Sequence, residues 1–254
     1  MTFLQAILLG AVEGLTEFLP VSSTGHLILA SAWMGLQGEA VKTFDIVIQA
    51  GALAAVVGLY GRRMGSLLVW RNLVIGFLPA GVAGLLLHRV IKERLFGTHP
   101  VAVALAAGGL FMIGLDGLLR RRARPPSRGL ESLGPREAFL IGLAQCLALW
   151  PGMSRSMVTI AVGLLLGLSA PAAAEFSFLL ALPTLGAATL FDASKNGGLL
   201  LQASPLPVLA AGFMVAAVTA VLAMRGLVAY LNRRGLAPFG WYRVGLALAV
   251  LFFP

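Results

Sequence analysis

The chain has 254 residues, of which 59% are hydrophobic and only 11% are charged, and its mean hydropathy is +0.92. This composition excludes an ordinary soluble domain and predicts an all-α polytopic membrane protein surrounded by lipids. The formal net charge of +9 would suit nucleic acid. However, the basic residues lie in short loops between apolar runs, so we expect no nucleic-acid partner.

Six apolar runs are long enough to be transmembrane helices. They lie at 44–60, 70–88, 100–119, 173–191, 206–224 and 238–254. The last run is the weakest because Arg243 shortens it. Two further regions, 1–36 and 137–170, each contain two apolar segments separated by a proline and a hydroxyl-rich turn. Since the first segment of each pair would cover only about 18–22 Å, we predict two re-entrant helix hairpins rather than full crossings.

The two hairpin regions resemble each other at an offset of 132 residues, where AILLGAVE at 6–13 aligns with AFLIGLAQ at 138–145. Chance similarity between glycine-rich apolar helices is the alternative. We predict one membrane domain with an inverted-topology repeat. Its parts are repeat 1 at about 1–119, a basic cytoplasmic loop at about 120–136 and repeat 2 at about 137–254.

Basic residues assign the two sides of the membrane. Thirteen arginines share one side: Arg62, Arg63, Arg71, Arg120, Arg121, Arg122, Arg124, Arg128, Arg136, Arg225, Arg233, Arg234 and Arg243. Five basic residues share the other: Lys42, Arg89, Lys92, Arg94 and Lys195. The larger group is expected in the cytoplasm. Because three spans separate the hairpins, the first should open to the extracytoplasmic side and the second to the cytoplasm, with their tips near the midplane.

Polar residues interrupt both hairpins. Residues 13–26 read EGLTEFLPVSSTGH and residues 151–159 read PGMSRSMVT. A new helix should begin after each break, where free backbone N–H groups and the positive end of the helix dipole suit an anion such as phosphate. Residue types that favour the helix N-cap stand at Ser22, Ser23, Thr24 and Ser154. Capping alone is therefore the alternative role for any one of these hydroxyls.

Arg155 is costly at membrane depth, and its planar guanidinium matches phosphate oxygens, so we interpret it as a phosphate clamp. An ion pair with Glu17 or Glu13 is the alternative. Glu13 and Glu17 lie four residues apart on one helix face, where they repel unless a cation lies between them. Mg²⁺ takes one or two carboxylates plus substrate phosphate oxygens, which makes this pair a candidate metal site. Proton coupling is the competing role.

His26 follows Ser22 and Ser23 by four and three residues, so either hydroxyl could share its helix face. Taken alone, such a histidine is more often a structural residue. A serine, a base, an acid pair and an arginine together are the parts of a nucleophile with a general base and a charge clamp. The residues alone therefore predict an intramembrane anion site with hydrolytic potential.

The two motifs, in this order, resemble the signatures of the undecaprenyl-pyrophosphate phosphatase family, also called the bacitracin-resistance family. TFDIVIQAG at 43–51 and EFSFLLALP at 175–183 are similar to the family's flanking segments, so the resemblance covers the whole chain. It implies a multi-pass enzyme of the bacterial plasma membrane. This enzyme would hydrolyse the lipid undecaprenyl pyrophosphate to undecaprenyl phosphate, which carries cell-wall precursors.

The resemblance also implies roles for single residues. Glu13 and Glu17 would serve a divalent metal ion, Mg²⁺ or Ca²⁺. Ser23 would be the nucleophile with His26 as its proton partner, and Arg155 would contact the pyrophosphate. The supporting substrate contacts would come from both motifs: Ser22, Thr24, Gly25, Gly152, Ser154, Ser156 and Thr159. Whether Ser23 forms a phospho-enzyme or orients a metal-bound water is left open.

Two other classes of protein are alternatives to this family. The type-2 phosphatidate phosphatase superfamily needs a histidine six positions after the arginine of its Ser-Arg motif, and Ala161 stands there. An inverted-repeat transporter or a lipid flippase of a polyprenyl phosphate fits the predicted fold equally well, and only an assay of phosphate release separates it from a phosphatase. The sequence leaves the oligomeric state open, a homodimer included.

Overall fold

The computed structural model describes residues 1–36, 38–95, 97–122, 125–203 and 205–252. Arg124, counted above with the cytoplasmic arginines, lies outside these ranges. The described residues are helical apart from short connections, and their α-helices are α1 Phe3–Thr16, α2 Ser23–Trp33, α3 Glu39–Tyr60, α4 Leu67–Arg94, α5 Thr98–Arg120, α6 Pro135–Gln145, α7 Arg155–Leu165, α8 Ala170–Ala203, α9 Leu206–Arg234 and α10 Ala237–Phe252. Short 3-10 helices cover Gly61–Gly65, Leu130–Ser132 and Cys146–Leu149.

Five helices of the described chain are long and apolar enough to cross a membrane, namely α3, α4, α5, α8 and α9. The prediction of an all-helical, multi-pass membrane protein is therefore confirmed. Helix α10 has 16 residues, about 24 Å at 1.5 Å per residue, which is less than the thickness of a typical hydrocarbon core. The sixth crossing stays a prediction.

Both predicted hairpin regions consist of two short helices on either side of a break. Helices α1 and α2 flank the first break, which contains Pro20, and helices α6 and α7 flank the second, which contains Pro151. Proline is unfavourable inside a helix because it lacks an N–H and its ring clashes with the preceding turn. Helices α4 and α8 nevertheless continue through Pro79 and Pro183, so proline contributes to each break without being sufficient for it. A serine then starts the next helix in each region.

The first helix of each pair packs against a helix from the other half of the chain. Helix α1 lies along α9, and helix α6 lies along α4. Glycine residues allow the two helices of each pair to pack closely. A Cβ at Gly10 would collide with the backbone of Gly212, and a Cβ at Gly142 would collide with the backbone of Gly76. The α3–α8 and α5–α10 contacts complete an interlocked pair of halves.

Gly142→Ala should destabilise the protein, because the new methyl group meets backbone rather than a movable side chain. Overpacking of this kind typically costs about 1–3 kcal/mol. A thermal melt in detergent, followed by circular dichroism, should show a clearly lower melting temperature. The matched control is Gly186→Ala in α8, where a Cβ has no neighbour within 4 Å. Equal melting of the two variants would contradict this account of the α4–α6 contact.

Arg243 does not lie in a cytoplasmic loop, and its inclusion in the charge count was wrong. It lies inside α10 with 0% of its surface exposed. Backbone carbonyl oxygens surround its guanidinium and satisfy its donors, so the helix continues through it instead of ending there. Removing Arg243 from the count leaves twelve basic residues against five, and the charge bias keeps its direction.

The segment between the halves is held by Arg128. Its guanidinium donates to both carboxylate oxygens of Glu137, at 2.5 and 3.0 Å, and to the carbonyl oxygen of Leu166 at the end of α7. The hydrogen bond from Arg128 lowers the pKa of the Glu137 carboxyl below its ordinary value. Glu137 also accepts from the Gly134 N–H and so caps α6.

Candidate active site

Each helix break ends in a serine with a left-handed backbone. Ser22 has φ 73° and Ser154 has φ 69°, and these are the only non-glycine residues with positive φ in the described ranges. Ser22 Oγ accepts from the Gly25 N–H, and Ser154 Oγ accepts from the Met157 N–H. A strained backbone of this kind costs roughly 1–3 kcal/mol and is concentrated at functional sites. Both serines therefore act as N-caps, as the capping alternative proposed.

The two breaks meet at one small cavity of about 120 Å³. Seven of the predicted site residues line it: Glu17, Ser22, Ser23, Thr24, Gly152, Ser154 and Arg155. Two segments that lie more than a hundred residues apart in sequence are thus brought together, as their polar interruptions predicted. The N-terminal ends of α2 and α7 both begin at this cavity.

Glu17 connects the candidate nucleophile to the candidate phosphate clamp. The Ser23 hydroxyl donates to Glu17 Oε2 at 2.6 Å, and Arg155 Nη2 donates to Glu17 Oε1 at 3.0 Å. Both are charge-assisted hydrogen bonds. The ion pair proposed as an alternative role for Arg155 is therefore formed with Glu17, and Glu17 is also placed to accept a proton from Ser23.

Helix α8 holds Arg155 from the other side. Arg155 Nη1 donates to the carbonyl oxygen of Ser177 at 2.7 Å, and the guanidinium lies over the Phe18 ring at 5.8 Å. Its Nε is buried and has no hydrogen-bond partner. A buried donor without a partner is costly, and an anion in the adjacent cavity would satisfy it.

The predicted pairing of His26 with Ser23 is not observed. His26 Nδ1 is 2.7 Å from the carbonyl oxygen of Ser22, and Nε2 is 2.6 Å from the hydroxyl of Tyr242 in α10. Because a carbonyl can only accept, Nδ1 carries the hydrogen and Nε2 accepts from Tyr242. The Ser22 carbonyl also accepts from the backbone N–H of His26 at 3.4 Å, so the ring and the backbone of His26 share one acceptor in the first turn of α2.

The remaining predicted substrate contacts shape the site from outside the cavity. Ser156 Oγ donates to the carbonyl oxygen of Leu19 at 2.8 Å and so joins α7 to the first break. Thr159 Oγ1 donates to Ser177 Oγ at 2.7 Å and braces the segment that holds Arg155. Gly25 is buried close to Leu105.

Several groups at the site were not predicted from the sequence. Gln49 and Trp150 line the cavity, and the Gln49 side-chain oxygen accepts from Thr189 Oγ1 at 3.0 Å. Tyr242 reaches His26 from 216 residues away. The available signal was polarity, because Gln49 is a polar residue within an apolar run and therefore unusual at membrane depth.

The acidic residues could hold a metal ion only together with oxygens from a substrate. Glu13 is buried, and its Oε1 lacks a hydrogen-bond partner, as does Oδ1 of Asp45 in α3. Such carboxylate oxygens are ligands for hard divalent cations. Within the ranges described, no three His, Cys, Asp or Glu side chains group closely enough to hold a metal by themselves. Phosphate oxygens would have to complete the coordination.

Comparison with known proteins identifies the family. The model of the bacitracin resistance protein BacA matches residues 6–249. The chain belongs to the BacA family. It is 53% identical to "Undecaprenyl-diphosphatase" of Sorangium cellulosum (strain So ce56), over 99% of this chain and 86% of that protein. It is 45% identical to "Undecaprenyl-diphosphatase" of Methylococcus capsulatus (strain ATCC 33009 / NCIMB 11132 / Bath), over 98% of this chain and 94% of that protein.

The BacA match contains both helix breaks and all the residues that line the cavity. It also contains Tyr242 and Arg243 of α10, which sequence reasoning had not assigned to the site. The whole candidate site therefore lies in the part of the chain that the family model matches.

Proposed function

We propose that this member of the BacA family is an undecaprenyl-diphosphatase. It hydrolyses undecaprenyl pyrophosphate to undecaprenyl phosphate and inorganic phosphate, which returns the lipid carrier to cell-wall synthesis. The names of two full-length relatives supply the substrate. The proposed chemistry rests on the contacts of Glu17. One of its carboxylate oxygens accepts from the Ser23 hydroxyl, and the other accepts from the Arg155 guanidinium.

The reaction begins when the pyrophosphate enters the cavity and takes over the Arg155 donors, including the unpartnered Nε. Oγ of Ser23 then attacks the terminal phosphorus while Glu17 accepts the hydroxyl proton. The bond between that phosphorus and the bridging oxygen breaks, and undecaprenyl phosphate leaves. Water later hydrolyses the phosphoserine. The N-terminal ends of α2 and α7 stabilise the charge on the transferring phosphoryl group.

Glu17 takes the proton role that the resemblance gave to His26, because the Ser23 hydroxyl already donates to Glu17. Both nitrogens of His26 are engaged elsewhere, by Ser22 and Tyr242. His26 fixes the start of α2, since its Nδ1–H holds the carbonyl of the residue that precedes Ser23. His26 therefore positions the nucleophile Ser23 indirectly, through the backbone of Ser22.

Glu13 would hold a divalent ion, Mg²⁺ or Ca²⁺, and Glu17 would join it once substrate has drawn Arg155 away. Such an ion supplies positive charge that neutralises the pyrophosphate and eases departure of the lipid phosphate. The unpartnered oxygen of Glu13 supports this assignment.

Chelation should therefore abolish phosphate release, and added Mg²⁺ or Ca²⁺ should restore it. Glu13→Gln should raise the metal concentration needed for half-maximal activity, because a neutral amide is a weaker ligand for a hard cation. The measurement is phosphate release during a metal titration. Glu131→Gln, at an exposed ion pair with Arg63, serves as the control. Undiminished activity of the parent in strong chelator would contradict the metal site.

The membrane topology can be specified further from the inverted-topology repeat. We propose that α10 is a sixth crossing and that the α1–α2 and α6–α7 pairs are re-entrant hairpins of opposite orientation. The crossed packing of α1 on α9 and of α6 on α4 supports this arrangement, as does the 132-residue spacing of Ser22 and Ser154. With the basic residues in the cytoplasm of a bacterial cell, the site opens to the extracytoplasmic side of the inner membrane.

Vesicles of known orientation should release phosphate into the compartment opposite to the Arg120–Arg122 end of the protein. Substrate is added to one leaflet, and phosphate is measured inside and outside. Ser23→Ala vesicles provide the background for both compartments. Phosphate that appears only on the side of these arginines would contradict the proposed access route.

Purified protein in detergent decides between hydrolysis and transport. A phosphatase releases inorganic phosphate from a polyprenyl pyrophosphate without any membrane, whereas a transporter or flippase releases none. The relatives' names favour the phosphatase. Absence of metal-dependent phosphate release from folded protein would overturn the proposed function.

A further inference from the structure

Arg243 joins three separate parts of the protein. Its Nη2 donates to the carbonyl oxygen of Gly152 at 2.8 Å, in the second break, and its Nη1 donates to that of Pro20 at 3.5 Å, in the first. Its Nη2 and Nε also reach the carbonyl oxygens of Ala104 and Leu105 in α5, at 3.1 and 3.3 Å. No carboxylate of the described chain lies within ion-pair distance of it.

A fully buried guanidinium without an acidic partner is expensive, so its position requires a compensating role. Carbonyl oxygens within a helix break lack the N–H partners that a continuous helix supplies. The guanidinium has five donors in a fixed plane, and it can bind several such carbonyls at once. Arg243 thus satisfies groups that the breaks leave exposed in both motifs.

The two attachment points have matching positions. Pro20 lies three residues before Ser23, and Gly152 lies three residues before Arg155. Arg243 itself does not line the cavity. We propose that Arg243 is a positioning residue for hydrolysis, which sets the nucleophile Ser23 at a fixed distance from the clamp Arg155. This inference rests on the proposed phosphatase function.

Helix α5 leaves space for this guanidinium at a glycine. A Cβ at Gly108 would collide with Nη2 of Arg243. Gly108→Ala therefore displaces the guanidinium while the positive charge remains in the protein. Gly114 in the same helix has no neighbour within 4 Å of a Cβ position, so Gly114→Ala is a matched control.

Arg243→Lys keeps the positive charge, but the lysine side chain has one ammonium nitrogen, which cannot donate to the carbonyl oxygens of both breaks at once. We expect kcat to fall about 10²-fold, the effect of misplacing reacting groups by about 1 Å. KM should change little, because Arg155 still binds the substrate. Gly108→Ala should lower kcat in the same way, and the double variant should be no slower than the slower single variant. Gly114→Ala and Arg225→Lys, at an exposed site in α9, should retain parental kcat.

A distance measurement tests, without an activity assay, whether Arg243 fixes the two breaks relative to each other. Spin labels at Trp33→Cys in α2 and Leu166→Cys after α7, in a Cys146→Ala background, report how the two breaks sit relative to each other. The distance distribution should broaden in Arg243→Lys and Gly108→Ala and stay narrow in Gly114→Ala. This distance can be measured even if the parent releases no phosphate. The experiment therefore distinguishes a wrong phosphatase assignment from a wrong role of Arg243 in positioning the two breaks.

Parental kcat in folded Arg243→Lys and Gly108→Ala would overturn the positioning role. A rise in KM alone would also overturn it, because that result assigns Arg243 to substrate binding. Loss of folding in both variants, measured by thermal melting, would reduce Arg243 to a structural residue and overturn the proposal as well.

Discussion

Arg155→Lys should lose most of the phosphatase activity although it keeps the positive charge. Arg155 holds Ser177 and Glu17 with two of its nitrogens and leaves Nε for an anion, an arrangement that one ammonium nitrogen cannot reproduce. Charge-assisted hydrogen bonds contribute about 1.5–3 kcal/mol each, so losing two should lower kcat/KM about 10²-fold or more. Steady-state phosphate release from detergent-purified protein measures the loss.

Arg136→Lys is the matched control for this change, because Arg136 is an exposed residue in the first turn of α6. Thermal melting of each variant separates lost chemistry from lost folding. A folded Arg155→Lys protein with near-parental kcat and KM would refute the clamp. Arg155 would then serve only as the ion-pair partner of Glu17 that joins the two motifs.

Local chemistry explains why the helix breaks could be predicted from the sequence. Proline disfavours a continuing helix, although Pro79 and Pro183 lie within α4 and α8. The signal of a break is therefore a proline followed within a few residues by a serine that can cap the next helix. Pro20 with Ser22, and Pro151 with Ser154, therefore located both breaks and the two helix N-termini. The meeting of the breaks followed from polarity, because isolated polar segments in apolar helices are stable only when they face each other or a cavity.

The helix ends were predicted less well, because hydropathy reports where a membrane lies and not where a helix stops. Helix α4 continues to Arg94 and α9 continues to Arg234, beyond the predicted ends of their apolar runs at 88 and 224. Arginine and leucine are good helix formers. Neither extension contains a proline, and the α9 extension continues through its one glycine, Gly226.

The α10 contribution could not be predicted, since it depends on tertiary contacts across the whole chain. Arg243 and Arg155 are both single arginines in apolar surroundings, yet only Arg155 stands in a polar motif. Arg243 therefore looked like the end of a span, whereas its carbonyl partners lie 91 to 223 residues away. The Tyr242 contact to His26 was hidden for the same reason.

Ser23→Ala should nearly abolish turnover while substrate still binds. Removing a nucleophile leaves Arg155, Glu13, Glu17 and the helix N-termini in place, and the expected loss in kcat is at least about 10³-fold. Two measurements test this result. Calorimetry should detect binding of a polyprenyl pyrophosphate to the inactive variant, and acid-quenched reactions with labelled substrate should trap phosphoprotein in the parent only.

Ser22→Ala is the internal control for the nucleophile, because the two serines are adjacent and differ in their partners. The Ser22 hydroxyl caps α2, and losing such a cap costs about 1 kcal/mol of stability, so this variant should melt earlier but keep most of its kcat. The Ser23 hydroxyl instead donates to Glu17, so its loss should affect kcat and hardly affect melting. If Ser23→Ala hydrolyses substrate at a rate close to the parent, the attacking oxygen belongs to another group. A water molecule activated by Glu17 would then be the nucleophile, with Ser23 only orienting it.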